Sequence, residues 1–562
     1  MGMSKIGLYF NTIKHLKPSQ VFYRVWRKSG GKTPLKVGYV PNPDVARADV
    51  RRAPTLPELD FDPVFLARFD VDAILEDRVE LLHHEESVDW DASWHADLST
   101  PLWRFNLHYF EYLMPLGKAY LDSSDRKYLD KAKVIIRAWI GSCPQAKGGP
   151  AWDSYTISMR VVNWLAFYGE LRDQLDEDAV FVEFFNHSLA EQFAYLACHL
   201  EVDLLANHYL EDLKALVILS CYFDDEETLS LALPKLMGQV KEQILPDGMH
   251  FELSPMYHKI ILEDLMRVAF VLDAYNCVDS RLRKDLRLKD MCDCLYSLER
   301  NTSRTPLFND CGDNVAKSWS ALLLAAEKYF DISPTFKSYF PFAGYCIYEH
   351  QWVDGNLKVI FDVGKPNPCF AMGHAHCDAL SFECYLDGVP RIVNCGTYAY
   401  QDDSRLSYKA SKSHSTIFVD GHEQNECWGA FRVARFGKCI DVNITNDGIS
   451  ASYRTVDGLV LKRDIRFAGA NIQIRDEVEG YDGPWQSIFV FPDLHNSEKY
   501  DFDFIYTKNC KDAEPNRITR IPVAYSSDFG KAKEAVAMVC EHDSEDGGMI
   551  DIVFSKTENE AK

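Results

Sequence analysis

The sequence predicts a multidomain α+β protein, a helical region followed by antiparallel β-sheets packed face to face, and the periodicity of its apolar residues carries that prediction. From about Leu81 to Phe340 apolar residues recur at helical spacing in long segments. After Phe340 the pattern switches to short runs alternating with period two, separated by Gly-, Asp- and Asn-rich turns. Short polar loops between the helical segments, as at Gln145 to Pro150 and Pro246 to Gly248, predict helices packed in antiparallel pairs.

In chain order, residues 1–80 form a basic N-terminal unit, with a helix expected over Pro18 to Ser29 and a Pro-, Gly- and charge-rich wrapping arm over Gly30 to Pro57. Residues 81–340 contain the helical stretches Tyr128–Trp139, Ser158–Leu171, Phe184–His199 and Asn207–Cys221. Residues 341–562 contain the expected strands Leu357–Val363, Ala379–Tyr385, Ser415–Val419, Gly458–Phe467 and Gln486–Phe491, with one helix expected at Gly530–Met538. The join falls near Ser338 to Gly344.

Composition narrows the function. With 47% apolar residues and 13% aromatic ones, the chain of 562 residues carries ample core for several domains. A net charge of -23 argues against a general nucleic-acid binder. Eleven Lys or Arg against two Asp in residues 1–55 leave the rest more acidic still, so an anionic substrate requires a focused basic pocket. The opening residues lack the apolar run of a secretory signal, and the 16 Cys show no disulfide framework; both lead to the expectation of a reducing, cytoplasmic location. The pair Cys292 and Cys294 lacks zinc-site spacing, and the sulfurs read mainly as small core hydrophobes. The apolar stretch Ala215 to Phe223 is too short to span a membrane.

Four clusters stand out chemically. Asn207 and His208 open an apolar helix, with Glu211 on the Asn207 face; either they cap the helix, or the amide meets a substrate carboxylate while His208 holds or moves a proton. Tyr257 and His258 follow a polar loop at the mouth of the next helix, where Tyr257 either packs or transfers a proton. On an extended strand His374, His376 and Asp378 would share one face, to meet a metal, a substrate or one another. Arg405, Tyr408, Lys412 and His414 supply positive charge and another phenol. Phe308 to Asn314 reads as a loop. Phosphate-cradling, dinucleotide, HExxH and GxSxG motifs are absent, and no carboxylate pair marks a glycosidase.

Assembled in order, these pieces resemble the heparinase II/III family of polysaccharide lyases and related uronate C5-epimerases. The resemblance rests on Gln20 to Arg27, Trp103-Arg104-Phe105-Asn106, Asn207-His208, Asp247-Gly248 through Ser254 to His258, His374 to Asp378, and Tyr408 through Thr416. It implies a helical α/α toroid followed by a β-sandwich domain, with an acidic sugar chain in the cleft between them. It implies that Asn207 neutralises the uronate carboxylate, Tyr257 transfers the proton, His374 helps organise the site, and His208 and Tyr408 are further proton-transfer candidates. Arg405, Trp103, Arg104, Asn106, Glu211 and Lys412 are the expected substrate-binding residues. Some relatives hold a metal through residues matching His376, an Asp, and His414. Here Asn394 stands where that Asp is expected, a neutral and weaker ligand, so a structural divalent ion such as zinc is in question. The chemistry itself requires no cofactor.

The implied reaction removes the C5 proton of a uronate whose carboxylate is neutralised as the anion develops. Expulsion of the C4 oxygen makes a lyase; reprotonation from the opposite face makes an epimerase. Compartment logic puts a glucuronyl C5-epimerase acting on a heparosan-like glycan first. A uronate lyase is the alternative, and an acidic-glycan-binding protein the non-enzyme reading.

Overall fold

The computed structural model describes residues 5–41, 53, 55–274, 284–352, 355–468, 471–493, 500–508, 512–513, 517–543 and 546–556. Parts of the expected wrapping arm therefore lie outside the described residues.

Acidic and hydroxyl side chains set where the helices begin. Asp125, Asp153, Asp178, Asp225 and Ser318 each accept from a backbone N–H of the following turn, starting helices Arg126–Ser142, Ser154–Glu170, Ala179–Leu196, Glu226–Gln243 and Trp319–Phe330. Between them lie Ala206–Phe223, Pro255–Ala274 and Leu288–Glu299. The Ala206–Phe223 helix runs through the middle of the bundle, packed on Ser154–Glu170, Glu226–Gln243 and Pro255–Ala274, and ends at Asp224 in the left-handed conformation. No helix among the described residues is long and apolar enough to cross a membrane.

From Tyr339 onward the regular structure of the described residues is mostly strand. A five-stranded antiparallel sheet takes Tyr339–Phe340, Tyr345–Trp352, Gly355–Asp362, Phe382–Leu386 and Val389–Ile392 in sequence order. A four-stranded sheet orders Ile518–Asp528, Lys531–His542, Trp485–Phe491 and Ile417–Phe418. A seven-stranded sheet centres on Asp546–Lys556, Asn471–Glu479 and Val460–Ala468. The helix expected at Gly530–Met538 is instead the strand Lys531–His542, paired on both sides. Its apolar Ala535, Ala537 and Val539 alternate toward a shared core, a period of two that the short Ala-rich text disguised.

Two features place the cleft. The long connections between Asp362 and Phe382, and between Ile392 and Ile417, carry the His374 and Arg405 clusters. Both are tied down by Arg463, fully buried and paired with Asp476 at 2.7 Å, whose guanidinium donates to the carbonyls of Leu380 (2.9 Å) and Ser415 (2.7 Å). A separate apolar cluster joins Met256 and Tyr257 of the helical part to Val393, Ile488, Val490 and Phe529 of the sheets. Tyr257 thus sits at the seam. Most of the described cysteines are buried, as expected of small core residues.

Candidate active site

Backbone conformations that non-glycine residues seldom adopt aim three of the site segments. Leu205 (φ 62°) and Ala206 (φ 52°) precede Asn207, Leu253 (φ 57°) precedes the Tyr257 helix, and Asn309 (φ 57°) precedes Asp310. Such positions cost roughly 1–3 kcal/mol each and persist where surrounding structure enforces them.

In the Ala206–Phe223 helix every residue is buried except His208. Asn207 donates Nδ2 to Glu252 Oε2 at 3.2 Å, and a carboxamide has a second N–H for a ligand. His208 pairs through Nδ1 with buried Glu201 at 2.8 Å, packs 4.7 Å from the Tyr155 ring, and leaves 40% of its side chain exposed. Burial pulls the imidazole pKa down, but the charge and hydrogen bond of Glu201, with Asp153 behind it, outweigh burial and carry it up to about 9. His208 is therefore an imidazolium at neutral pH. Because the folded value lies above the unfolded 6.5, this pair contributes stability below pH 6.5 that is lost as pH rises through about 9. The stability advantage of the native protein over His208→Gln should shrink across that window in urea titrations; a pH-independent difference would refute the pairing.

Tyr257 donates its backbone N–H to Ser254 Oγ (3.3 Å), and that hydroxyl donates to the carbonyl of Asp310 (2.6 Å), fixing the helix start against the loop opposite. Its phenol lies 2.8 Å from the Tyr400 hydroxyl, and its ring is 4.4 Å from His374. Burial raises the Tyr257 pKa well above that of a free phenol; the Tyr400 hydrogen bond and the Arg405 charge pull the other way and do not offset it. His258, beside it, is fully buried, with Nε2 3.0 Å from the Met291 carbonyl, and serves packing.

Asp310 is the hub. Its two oxygens meet His374 Nδ1 (2.9 Å), His376 Nε2 (2.8 Å) and both terminal nitrogens of Arg405, all in a buried setting. Burial alone would raise its pKa, yet the Arg405 charge and the two histidines hold it well below the usual carboxylate range. With Nδ1 engaged, only Nε2 of His374 is left to face a ligand. The expected strand is instead a short 3-10 turn, Met372–His374, followed by a loop. The polar side chains gather because Asp310 draws both histidines, while Asp378 accepts the backbone N–H of Asn309 at 2.9 Å. Glu252, five residues before Tyr257, accepts Asn207 Nδ2 and so ties the Asn207–His208 helix start to the Tyr257 segment. Tyr155 flanks the cleft on the helical side, and Phe431, 43% exposed and 6.1 Å from His374, on the other. Asp310, Glu201, Glu252, Tyr400, Tyr155 and Phe431 escaped the sequence reading. Asp310 and Glu252 carried a local signal, each within a polar run that reads as a loop.

Other expected residues lie elsewhere. Trp103 is fully buried and donates to the His84 carbonyl at 2.9 Å, and Glu211 is fully buried with Lys214 and Asp264, so neither offers a surface to substrate. Arg104 pairs with Asp97 at 2.5 Å, and Asn106 donates to its own helix at Leu102. Lys412 is exposed on the 3-10 turn Ser411–Ser413. Tyr408 is buried against Tyr398, ring centroids 6.3 Å apart, and burial, with Cys395, Tyr398 and Asp402 nearby, pushes its pKa up to about 12.

The expected metal residues do adjoin. The His376 and His414 rings are 5.3 Å apart, and His414 Nδ1 is 3.3 Å from Asn394 Oδ1. Burial keeps both imidazoles neutral, at about 4 and about 3, and His376 Nδ1 is buried without a partner. The third donor fails: Asn394 is an uncharged amide whose oxygen faces His414 and the Ser415 N–H, and no group of three His, Cys, Asp or Glu side chains suited to an ion occurs among the described residues. The set does not fit a charged three-ligand site, and no step is derived through a metal.

The family described as Heparinase II/III N-terminus matches residues 66–338, and that described as Heparinase II/III-like, C-terminal matches residues 334–531. The chain belongs to the heparinase II/III family. Among curated heparinase-family relatives, a heparin-sulfate lyase of Bacteroides thetaiotaomicron is 21% identical over 63% of this chain and 57% of that protein. A heparin-sulfate lyase of Pedobacter heparinus is 24% identical over 56% of this chain and 52% of that protein. The matched region thus spans about half the length of these relatives. A crystal structure of heparinase III superposes with a TM-score of 0.69 at 17% identity, covering 92% of this chain and 88% of that one. The shared heparinase fold is the α/α toroid followed by an antiparallel β region.

Proposed function

We propose that this heparinase II/III-family protein is a polysaccharide lyase that cleaves a glucuronate-containing, glycosaminoglycan-like chain by β-elimination. The observation that carries the reading is the convergence of Asn207, Tyr257 and His374 with the imidazolium of His208 around one cleft. In this mechanism Asn207 and His374 Nε2 meet the uronate carboxylate, so that negative charge developing at C5 is stabilised by groups already in position. Tyr257 takes the C5 proton as the phenolate and returns a proton to the departing C4 oxygen, and Tyr400 shares its proton at 2.8 Å. Tyr155 and Phe431 offer ring faces to the sugars.

The lyase names of the relatives support elimination over the epimerase that compartment logic put first. Epimerisation requires a second proton donor on the far face, and Tyr408, one of the two groups expected there, packs on Tyr398 instead. Incubation with heparosan and with heparan sulfate in deuterated water tests the choice. Rising absorbance of unsaturated uronate with shortening chains is the expected result. Deuterium at C5 without cleavage would establish the epimerase, and no change with any uronate glycan would sink both readings.

A further inference from the structure

The helices Lys5–Ile13 and Pro18–Lys28 differ from the rest of the molecule in both charge and exposure. From Met1 to Lys36 the sequence holds eight Lys or Arg and no Asp or Glu, within a protein of net charge -23. The first helix buries none of its residues. Its Ile6, Phe10 and Ile13 follow one another at i, i+4 and i+7 and are 82%, 70% and 51% exposed. In the second, Phe22, Val25 and Trp26 are 61%, 67% and 46% exposed, beside exposed Arg24 and Lys28. Ten of the 24 large apolar side chains exposed among the described residues fall within residues 6–40, which makes a concentrated patch rather than scattered surface hydrophobes.

The patch is not a loose end. Thr12 accepts from Trp428 Nε1 at 2.9 Å, and the Tyr9 ring stands 4.7 Å from Trp428. Buried Gln20 donates to the Leu204 carbonyl at 3.3 Å, Arg27 pairs with Asp203 at 2.5 Å, and Trp26 Nε1 donates to the Lys32 carbonyl at 2.7 Å. Polar contacts therefore hold both helices while their apolar side chains remain exposed.

We propose that this helix pair docks the protein on an anionic lipid surface, its apolar side chains entering the headgroup boundary and its cations meeting lipid phosphates. An acidic sugar chain would use the cations and the aromatic faces, but it would gain nothing from Ile6, Ile13, Val25 or the similarly exposed Val37 and Val40. A second copy would set two such cationic faces against each other. The inference is independent of the reaction in the cleft.

Flotation of the full chain with vesicles tests it. The protein should float with vesicles of phosphatidylcholine mixed with phosphatidylglycerol, stay behind with phosphatidylcholine alone, and detach progressively as salt is raised. The charge-reversed pair Arg24→Glu with Lys28→Glu, and separately Ile6→Ser with Phe10→Ser, should each lower the bound fraction at least about tenfold. Their thermal midpoints should match the parent because these side chains are exposed. Failure to float with the mixed vesicles, or flotation that both variant pairs retain, overturns the proposal. So does release from the vesicles by soluble heparin with loss of heparin binding in the variants, which assigns the face to glycan. A dimer of the parent chain that the variants dissolve assigns it to self-association and overturns the proposal as well.

Discussion

Replacing Asp310 by Asn is expected to abolish turnover and to cost about 3–5 kcal/mol of stability, the usual effect of removing one partner from a buried ion pair. The carboxylate is fully buried, and among the described residues it is the one counter-charge within salt-bridge distance of Arg405, which is 3% exposed. Asparagine keeps the shape but removes the charge, leaving a guanidinium buried without compensation. It also turns an acceptor at both oxygens into a group with one oxygen and one amide, so one of His374 and His376 must change tautomer or give up its bond of 2.9 or 2.8 Å. Either change disturbs the contact that leaves His374 Nε2 as the free nitrogen of the ring. Equilibrium urea unfolding measures the stability term, and the rate of unsaturated-uronate formation measures the functional one. The double variant Asp310→Leu with Arg405→Met separates them: it should recover much of the stability, because both charges are gone, yet remain inactive. Recovery of activity in that double variant would show that the hub is a packing device alone.

What the sequence disclosed and what it hid follow from the range of the interactions. Helical and strand periods are local, and they located Asn207–Cys221 and Gly458–Phe467 to within a few residues of the observed Ala206–Phe223 and Val460–Ala468. The strand Lys531–His542 was misread because small alanines at alternate positions give a weak period, and its identity comes from pairing with Trp485–Phe491 and Ile518–Asp528. Asn207, His208, Tyr257 and His374 were visible because each stands in an unusual local context. Asp310 was not, since its partners lie 64, 66 and 95 residues away in sequence. Tyr400 likewise gains meaning only from Tyr257, 143 residues earlier. Conversely the family resemblance offers Trp103 and the i,i+4 spacing from Asn207 offers Glu211, and both side chains are buried away from substrate.

Tyr257→Phe should lower kcat by about 10²- to 10⁴-fold, the range for losing a positioned acid–base group, while leaving the fold intact. Phenylalanine keeps the ring against His374 and forfeits only the hydroxyl and its bond to Tyr400, worth on the order of 1 kcal/mol of stability. KM should change little, because Asn207 and His374 still meet the carboxylate. The pH dependence gives the sharper test. Burial holds the free Tyr257 phenol protonated across the neutral range, so the fraction able to accept the C5 proton grows as pH rises. The imidazolium of His208, with its pKa carried up to about 9, discharges over the same alkaline range. The profile of kcat/KM should therefore rise into mild alkali and turn over near pH 9, and His208→Gln should remove the descending limb while the ascending limb stays. Tyr400→Phe removes the hydrogen bond that lowers the Tyr257 pKa, so it should push the ascending limb to higher pH with a smaller loss of rate. A profile that stays flat in the parent and in both variants would exclude Tyr257 as the group that moves the proton.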